Sequence, residues 1–177
     1  MSNKTIRRPL FTWFPVAAGA GFYACALGVA AFMPQAGFAP SLLVTAMALF
    51  LWALGWNSAV RITHTHVSIT NFVVTTTVAW TDVEQVTMDD GLGIHLRDGN
   101  ELGSIAFGGS LIGAFTGYPS HRRAYRLLRD AQQRAGGGRR RRLAGDVEIQ
   151  HSIDWRRPLV AVASLYTPLL IVFAIAR

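Results

Sequence analysis

The sequence predicts an α+β membrane protein: an apolar helical hairpin, a strand-rich segment closed by an amphipathic helix, and a third apolar helix. Three observations carry this. No Lys, Arg, Asp or Glu occurs from Pro9 to Val60, and none from Pro158 to Ala176. Between those runs, continuous apolarity gives way to alternation, beginning at Val60-Arg61-Ile62-Thr63. After the alternation, Ala124, Leu127, Leu128 and Ala131 recur at helical spacing.

Only 15% of the 177 residues are charged, against roughly 25% in soluble domains. A charge at the bilayer centre costs about 2.5–3.5 kcal/mol on insertion scales, so long charge-free runs mark membrane spans. The net charge of +7 is unevenly placed. Residues 1–60 hold Lys4, Arg7 and Arg8, residues 61–135 balance seven arginines against seven acids, and residues 136–157 hold six arginines and three acids. The basicity thus borders the apolar segments, which points to membrane topology and anionic headgroups. A nucleic-acid surface would need a basic domain face with aromatics interleaved, and the central segment is neutral. The single cysteine, Cys25, excludes an intrachain disulfide and a cysteine-based metal site.

Residues 1–12 form a polar lead expected in the cytoplasm, and residues 13–60 the hairpin. The run from Phe11 to Met33 is longer than a signal-peptide core, and a second run follows almost at once, so a spanning helix over Trp13–Met33 is expected. Its Gly19, Gly21 and Gly28 either allow close helix approach or reflect the general tolerance of glycine in spans. Pro34 to Pro40 is an uncharged turn, Ser41 can cap the next helix, and that helix is expected to run to Val60. Trp13, Trp52 and Trp56 lie toward one membrane interface. Arginines flank the hairpin while its loop has none, which places the N-terminus and the central domain in the cytoplasm.

In residues 61–135, alternation and β-branched residues predict six or seven antiparallel strands, with turns at His64–His66, Asn71-Phe72 and Asp98-Gly99-Asn100. Thr81-x-x-Glu84 is a capping-box pattern for a short helical turn; alternatively Val83 and Val86 belong to a bent strand. Pro119 and Ser120 open a helix to about Ala135. The expected core is Val67, Ile69, Val74, Val78, Trp80, Val83, Val86, Ile94, Leu96, Leu102, Ile105, Leu127 and Leu128. Residues 136–157 read as a basic linker after a triple glycine, and residues 158–177 as a third span, kinked at Pro168, that leaves the C-terminus outside.

Two spans followed by Val78-Ala79-Trp80-Thr81-Asp82-Val83-Glu84-Gln85-Val86, then Leu96-Arg97-Asp98-Gly99 and a helix, resemble bacterial pleckstrin-homology (PH)-like membrane proteins of actinobacterial type. Trp80, Asp82 and Val83 match the family's mid-domain turn, and the resemblance covers roughly residues 53–133. It implies a PH-like barrel or sandwich of two antiparallel sheets with a C-terminal helix, in a multi-pass protein of the bacterial plasma (inner) membrane. It brings no catalytic residues, and the third apolar run departs from it.

No catalytic constellation, metal site or cofactor is expected. His64-x-His66 has ligand spacing, but no third ligand is identifiable. Asp89-Asp90 before Gly91 reads as a solvated turn. The glycine-rich loop lacks the lysine of a phosphate loop. Its glycines either only turn the chain, or Gly108, Gly109, Leu111, Ile112, Phe115 and Tyr118 meet lipid or a partner. Arg122, Arg123, Arg139, Arg140, Arg141, Arg142, Arg156 and Arg157 are candidate anionic-lipid contacts, and the run from Arg139 to Arg142 serves equally as a topology signal. The expected function is a non-enzymatic scaffold or interaction module, with the lipid bilayer, a membrane-protein partner or a second copy as partners and no nucleic acid. The alternative is a small transporter or channel accessory component.

Overall fold

The computed structural model describes residues 3–33, 35, 38–88, 91–108, 119–136 and 147–176. The chain is an α+β protein with three apolar helices and antiparallel sheets. It divides into a sheet unit, Met1–Arg8 with Ser58–Ile153, and a helical unit, Pro9–Asn57 with Asp154–Arg177.

The helical unit holds α1 (Pro9–Phe32), α2 (Ala39–Trp52, continued by one π turn over Ala53–Asn57) and an apolar helix over Arg156–Ala176. All three are long and apolar enough to cross a membrane. The helix α1 starts at a proline, whose missing N–H would have no helical acceptor in the first turn anyway. The seam between α1 and α2 is built from small side chains. Thr12, Pro15, Gly19, Ala26 and Ala30 are buried on one side, and Ser41, Thr45, Ala48, Ala53 and Gly55 on the other. A Cβ on Gly55 would stand 2.8 Å from the Thr12 carbonyl oxygen and 3.3 Å from that of Phe11. Pro15 has no N–H to offer the Phe11 carbonyl four residues earlier. The space that Gly55 leaves is thus filled by two backbone carbonyls and the Pro15 ring. Of the other helix glycines, Gly19 would meet the Ala48 carbonyl at 3.0 Å, whereas Gly21 and Gly28 have nothing within 4 Å. The second helix was expected to reach Val60, but regular helix ends before Gly55, and Ala59 and Val60 are buried in a strand. Apolarity alone does not separate the end of a span from a buried strand.

The sheet unit contains β1 (Lys4–Ile6), β2 (Ala59–Ile62), β3 (His66–Asn71), β4 (Val74–Ala79), β5 (Val83–Thr87), β6 (Gly91–Leu96), β7 (Glu101–Gly108), α3 (Pro119–Gly136) and β8 (Gln150–Ile153); the Arg156–Ala176 helix is α4. One sheet has the order β1-β2-β3-β4-β8 and the other β5-β6-β7, all pairs antiparallel. Two segments read as a polar lead and a basic linker supply edge strands. Lys4–Ile6 of the lead pairs with β2, and Gln150–Ile153 of the linker pairs with β4.

Trp80 stands where the chain passes between the sheets. It is buried, its Nε1–H donates to the Thr63 carbonyl at 3.1 Å, and it opens a 3₁₀ turn over Trp80–Asp82. Both readings of this stretch are partly realised, since Val83 then begins β5, with a register shift between Val83 and Gln85. The helix α3 packs against this turn, β5 and β6 through Ala124, Leu128 and Ala131, all buried. Gln132 Nε2 donates to the Glu84 carbonyl at 3.0 Å. Asp98-Gly99 makes the expected hairpin, with Gly99 at φ 86°. At the Asn71-Phe72 turn, Phe72 takes φ 66°, a conformation bulky residues rarely adopt.

Nine of the thirteen expected core residues are buried, Leu102 and Leu127 are half-buried, and Val74 and Ile105 are exposed at 37% and 47%. Val74 pairs across the sheet with Ile153, which is also exposed. Ile105 lies in a bulge of β7, where the partner of β6 jumps from Gly103 to Gly108, and on the strand's outward face: exposure alternates from Glu101 to Ala106 and breaks only at Phe107. Asn71 holds that bulge: its amide donates to the Gly103 carbonyl at 2.8 Å and its Oδ1 accepts the Ile105 N–H at 2.9 Å. It thereby joins β3 of one sheet to β7 of the other.

The alanine substitution Gly55→Ala is expected to destabilise the helical unit by about 1–3 kcal/mol, as overpacking against backbone does. Gly21→Ala and Gly28→Ala are expected to be neutral or slightly stabilising. Thermal melting of the three variants in mild detergent checks this. Replacing Asn71 by Ala removes both bonds to β7 and is expected to cost about 1–2 kcal/mol, read by chemical denaturation of the sheet unit's signal.

Candidate functional site

The sequence-predicted residues fall in four places, with Gly108 at the end of β7. Gly109, Leu111, Ile112, Phe115, Tyr118 and Arg139 to Arg142 lie outside the described residues. Arg122 and Arg123 are exposed on the solvent face of α3. Arg156 and Arg157 open α4, and they line a groove of about 740 Å³ within the helical unit.

That groove is built from all three apolar helices. Gly19, Ala20 and Ala48 keep its floor low because they carry little or no side chain. Trp52 and Trp56 line it from the α2 side, and Val160, Ala161 and Ser164 from α4. The Trp56 ring is held edge-on by Trp13, with centroids 6.1 Å apart. At its inner end, Tyr23 donates a hydrogen bond of 2.8 Å to the Leu165 carbonyl. The neighbouring Ser164 carbonyl has lost its helical donor to Pro168. Beyond this bond Ala26, Ala30 and Leu169 are fully packed, with Leu27, Leu42 and Val172 around them. The groove therefore ends inside the helical unit.

Its charged groups gather at the opposite end. Asp154 Oδ1 accepts the backbone N–H of Arg156 at 3.2 Å, capping α4, and Asp154 Oδ2 lies 3.5 Å from Arg157 Nε. The Arg156 and Arg157 side chains are exposed. This pair of guanidinium groups above an apolar slot suits an amphiphilic anion: planar donors for phosphate or carboxylate oxygens, and apolar walls below them. Sequence reading named Arg156, Arg157, the tryptophans and Gly19 separately. It missed Tyr23, Ala20, Ala48, Ala161 and Ser164, because none carries a local signal.

A second hollow, of about 490 Å³, lies on the three-stranded sheet beside Thr87, His95, Glu101 and Ser104. His95 Nε2 lies 3.0 Å from Thr87 Oγ1 and 4.0 Å from Glu101 Oε1. A nucleophile relay needs the base to engage its two partners through different ring nitrogens. Here both face the same one, so the group ties β5, β6 and β7 together. Among the described residues no three His, Cys, Asp or Glu side chains stand close enough to hold a metal ion.

Gly108, the one described residue of the glycine-rich loop, ends β7, and its carbonyl lies 3.4 Å from His121 Nε2. His121 is fully buried one turn before Ala124, with its ring edge-on to Phe107 at 5.6 Å. Burial, helped by the Arg8 charge and opposed by the Gly108 carbonyl, lowers its pKa below the ordinary histidine value. As pH falls through about 6.5, the unfolded chain takes up this proton before the folded one does. Stability of the sheet unit is therefore expected to be level above that pH and to fall below it. Melting temperatures between pH 7.5 and 5 should show the slope in the wild type and a shallower one in His121→Phe. Comparisons with protein-family models, with curated proteins and with solved structures found no match.

Proposed function

We propose that the chain is a multi-pass integral membrane protein of non-enzymatic function, whose sheet unit works as an interaction or scaffold module on the cytoplasmic face of a bacterial plasma membrane. The observation that carries this is the outer surface of the helical unit. Leu10, Phe14 and Phe32 of α1, Leu43 and Phe50 of α2, and Leu159, Leu170 and Ile175 of α4 are all exposed, several by more than 60%. Soluble monomers do not leave apolar surface of that extent in water. Lipid or a second membrane protein is the medium that matches it.

The orientation rests on the charges. Lys4, Arg7 and Arg8 precede α1, whose first turns hold Trp13, and Arg156 and Arg157 open α4 directly after Trp155. Positive residues beside short connections favour the cytoplasmic side, and tryptophan favours the interface. The PH-like reading draws support from the order of elements: antiparallel strands in two sheets, a turn at Trp80, and a helix after the last strand of the second sheet. The strands β1 and β8 are additions to that plan. Anionic-lipid contact through Arg156 and Arg157 accompanies the scaffold role.

Alkaline carbonate washing of bacterial membranes is expected to leave the protein in the pellet. Reporter fusions are expected to give a cytoplasmic signal at the N-terminus and an external one at the C-terminus. Affinity purification in mild detergent should recover a stoichiometric membrane partner or a second copy. A lone protein that changes ion flux in liposomes would instead establish the transport-accessory role and remove the scaffold reading.

A further inference from the structure

The groove of the helical unit has a length, a closed end and a charged end, and together these select an occupant. From Arg156 to Leu165 it follows α4 over ten residues, nine rises of ~1.5 Å or about 13.5 Å. That is close to half of the ~30 Å hydrocarbon thickness of a bilayer. The Tyr23–Leu165 bond and the packing of Ala26, Ala30 and Leu169 close it at that depth. A spanning helix of a partner protein would need a groove along the whole bilayer, and this one stops at the middle. A free phosphate or other small anion would have no use for the apolar slot. An acyl chain belonging to one leaflet has the matching length, and the volume of about 740 Å³ lies within the roughly 300–1,000 Å³ of ordinary ligand sites.

The charged end selects the headgroup. Two guanidinium groups stand there with one carboxylate, Asp154, beside Arg157. Asp154 offsets one of the two positive charges, which leaves one for an anionic ligand. Among the described residues Arg156 has no carboxylate partner. Arginine holds phosphate oxygens through two parallel N–H donors, so a phosphodiester is bound with geometry as well as charge.

We propose that the groove is a binding site for one anionic phospholipid of the arginine-side leaflet, with one acyl chain in the slot between α1, α2 and α4 and its headgroup phosphate on Arg156 and Arg157. This inference rests on the membrane reading above. Tyr23 and Ser164 line the slot, Tyr23 at its inner limit, while Trp52 and Trp56 flank the region where chain meets headgroup.

The test uses the full chain, extracted from membranes in mild detergent, delipidated and titrated with phosphatidylglycerol or phosphatidylcholine of the same acyl chains under native mass spectrometry. One phosphatidylglycerol per protomer is expected to bind about tenfold more tightly than phosphatidylcholine. Arg156→Gln with Arg157→Gln should bring the two lipids to parity. Ala20→Phe, which fills the slot from an exposed helix position, should weaken both about tenfold, with melting temperature confirming that each variant folds. Phosphatidylglycerol brominated in its acyl chain should quench the tryptophan fluorescence of the wild type more than that of Ala20→Phe. Millimolar inorganic phosphate should not displace the lipid.

Equal binding of the two lipids by the wild type would overturn the headgroup assignment. Unchanged binding by Ala20→Phe would remove the chain from the slot. Displacement by inorganic phosphate, or cross-linking of a second protein through a cysteine placed at Ala20, would assign the groove to a different occupant. A protein that resists carbonate extraction yet shows no lipid preference loses only this inference. Release by carbonate would remove the membrane reading itself.

Discussion

The backbone contact of Gly55 with Thr12 and Phe11, and of Gly19 with Ala48, is the constraint on which the helical unit depends. In the bilayer proposed for this unit, lipid tails are as apolar as leucine, so two helices would gain little by burying large apolar side chains against each other. What remains is close van der Waals approach, and that requires small residues at the seam. Pro15 and the π turn over Ala53–Asn57 belong to the same solution. The proline leaves the Phe11 carbonyl without its helical donor, and the π turn brings Gly55 beside it. The floor of the groove is a by-product, because residues small enough for the seam are also too small to fill the space in front of α4.

The sheet unit solves a different problem, the closing of two small sheets around a modest core. Trp80 supplies a large buried surface at the crossing between them, and its indole N–H satisfies the Thr63 carbonyl. Asn71 works on the opposite strand, giving β7 two hydrogen bonds where its bulge interrupts regular pairing with β6. A side chain thus replaces a stretch of ladder. The helix α3 covers β5, β6 and the 3₁₀ turn, with His121 extending its buried face by one turn at the expense of a depressed affinity for protons.

Much of this was legible in the residues, and for identifiable reasons. The three apolar helices announce themselves by the absence of charge, and α3 by its period, because both signals are summed over many positions. The edge strands were not legible: Lys4–Ile6 and Gln150–Ile153 are too short to show a pattern, and they are strands only because β2 and β4 offer them an edge. Val74 and Ile105 were misplaced for a related reason. Their apolarity suited a core face, but Val74 belongs to an exposed cross-strand pair and Ile105 to the outward phase of β7. The groove was legible only as scattered parts. Tyr23 and Leu165 lie 142 residues apart, and no local pattern links them. The arginine run and most of the glycine-rich loop lie outside the described residues.

The five-stranded sheet is completed by its last strand, and that has a consequence for biosynthesis. The β4 strand is made by Ala79, but its outer neighbour β8 does not exist until Gln150 to Ile153 have left the ribosome. At about 5–20 residues per second, several seconds pass with the N–H and C=O groups along that edge of β4 exposed. During that interval the edge is open to any extended chain nearby, a nascent copy of the same protein included. Three of the four residues from Val74 to Thr77 are threonines, and their hydroxyls keep that interval hydrophilic. The part of the chain slowest to acquire its final neighbour is thus written in residues that tolerate water while they wait.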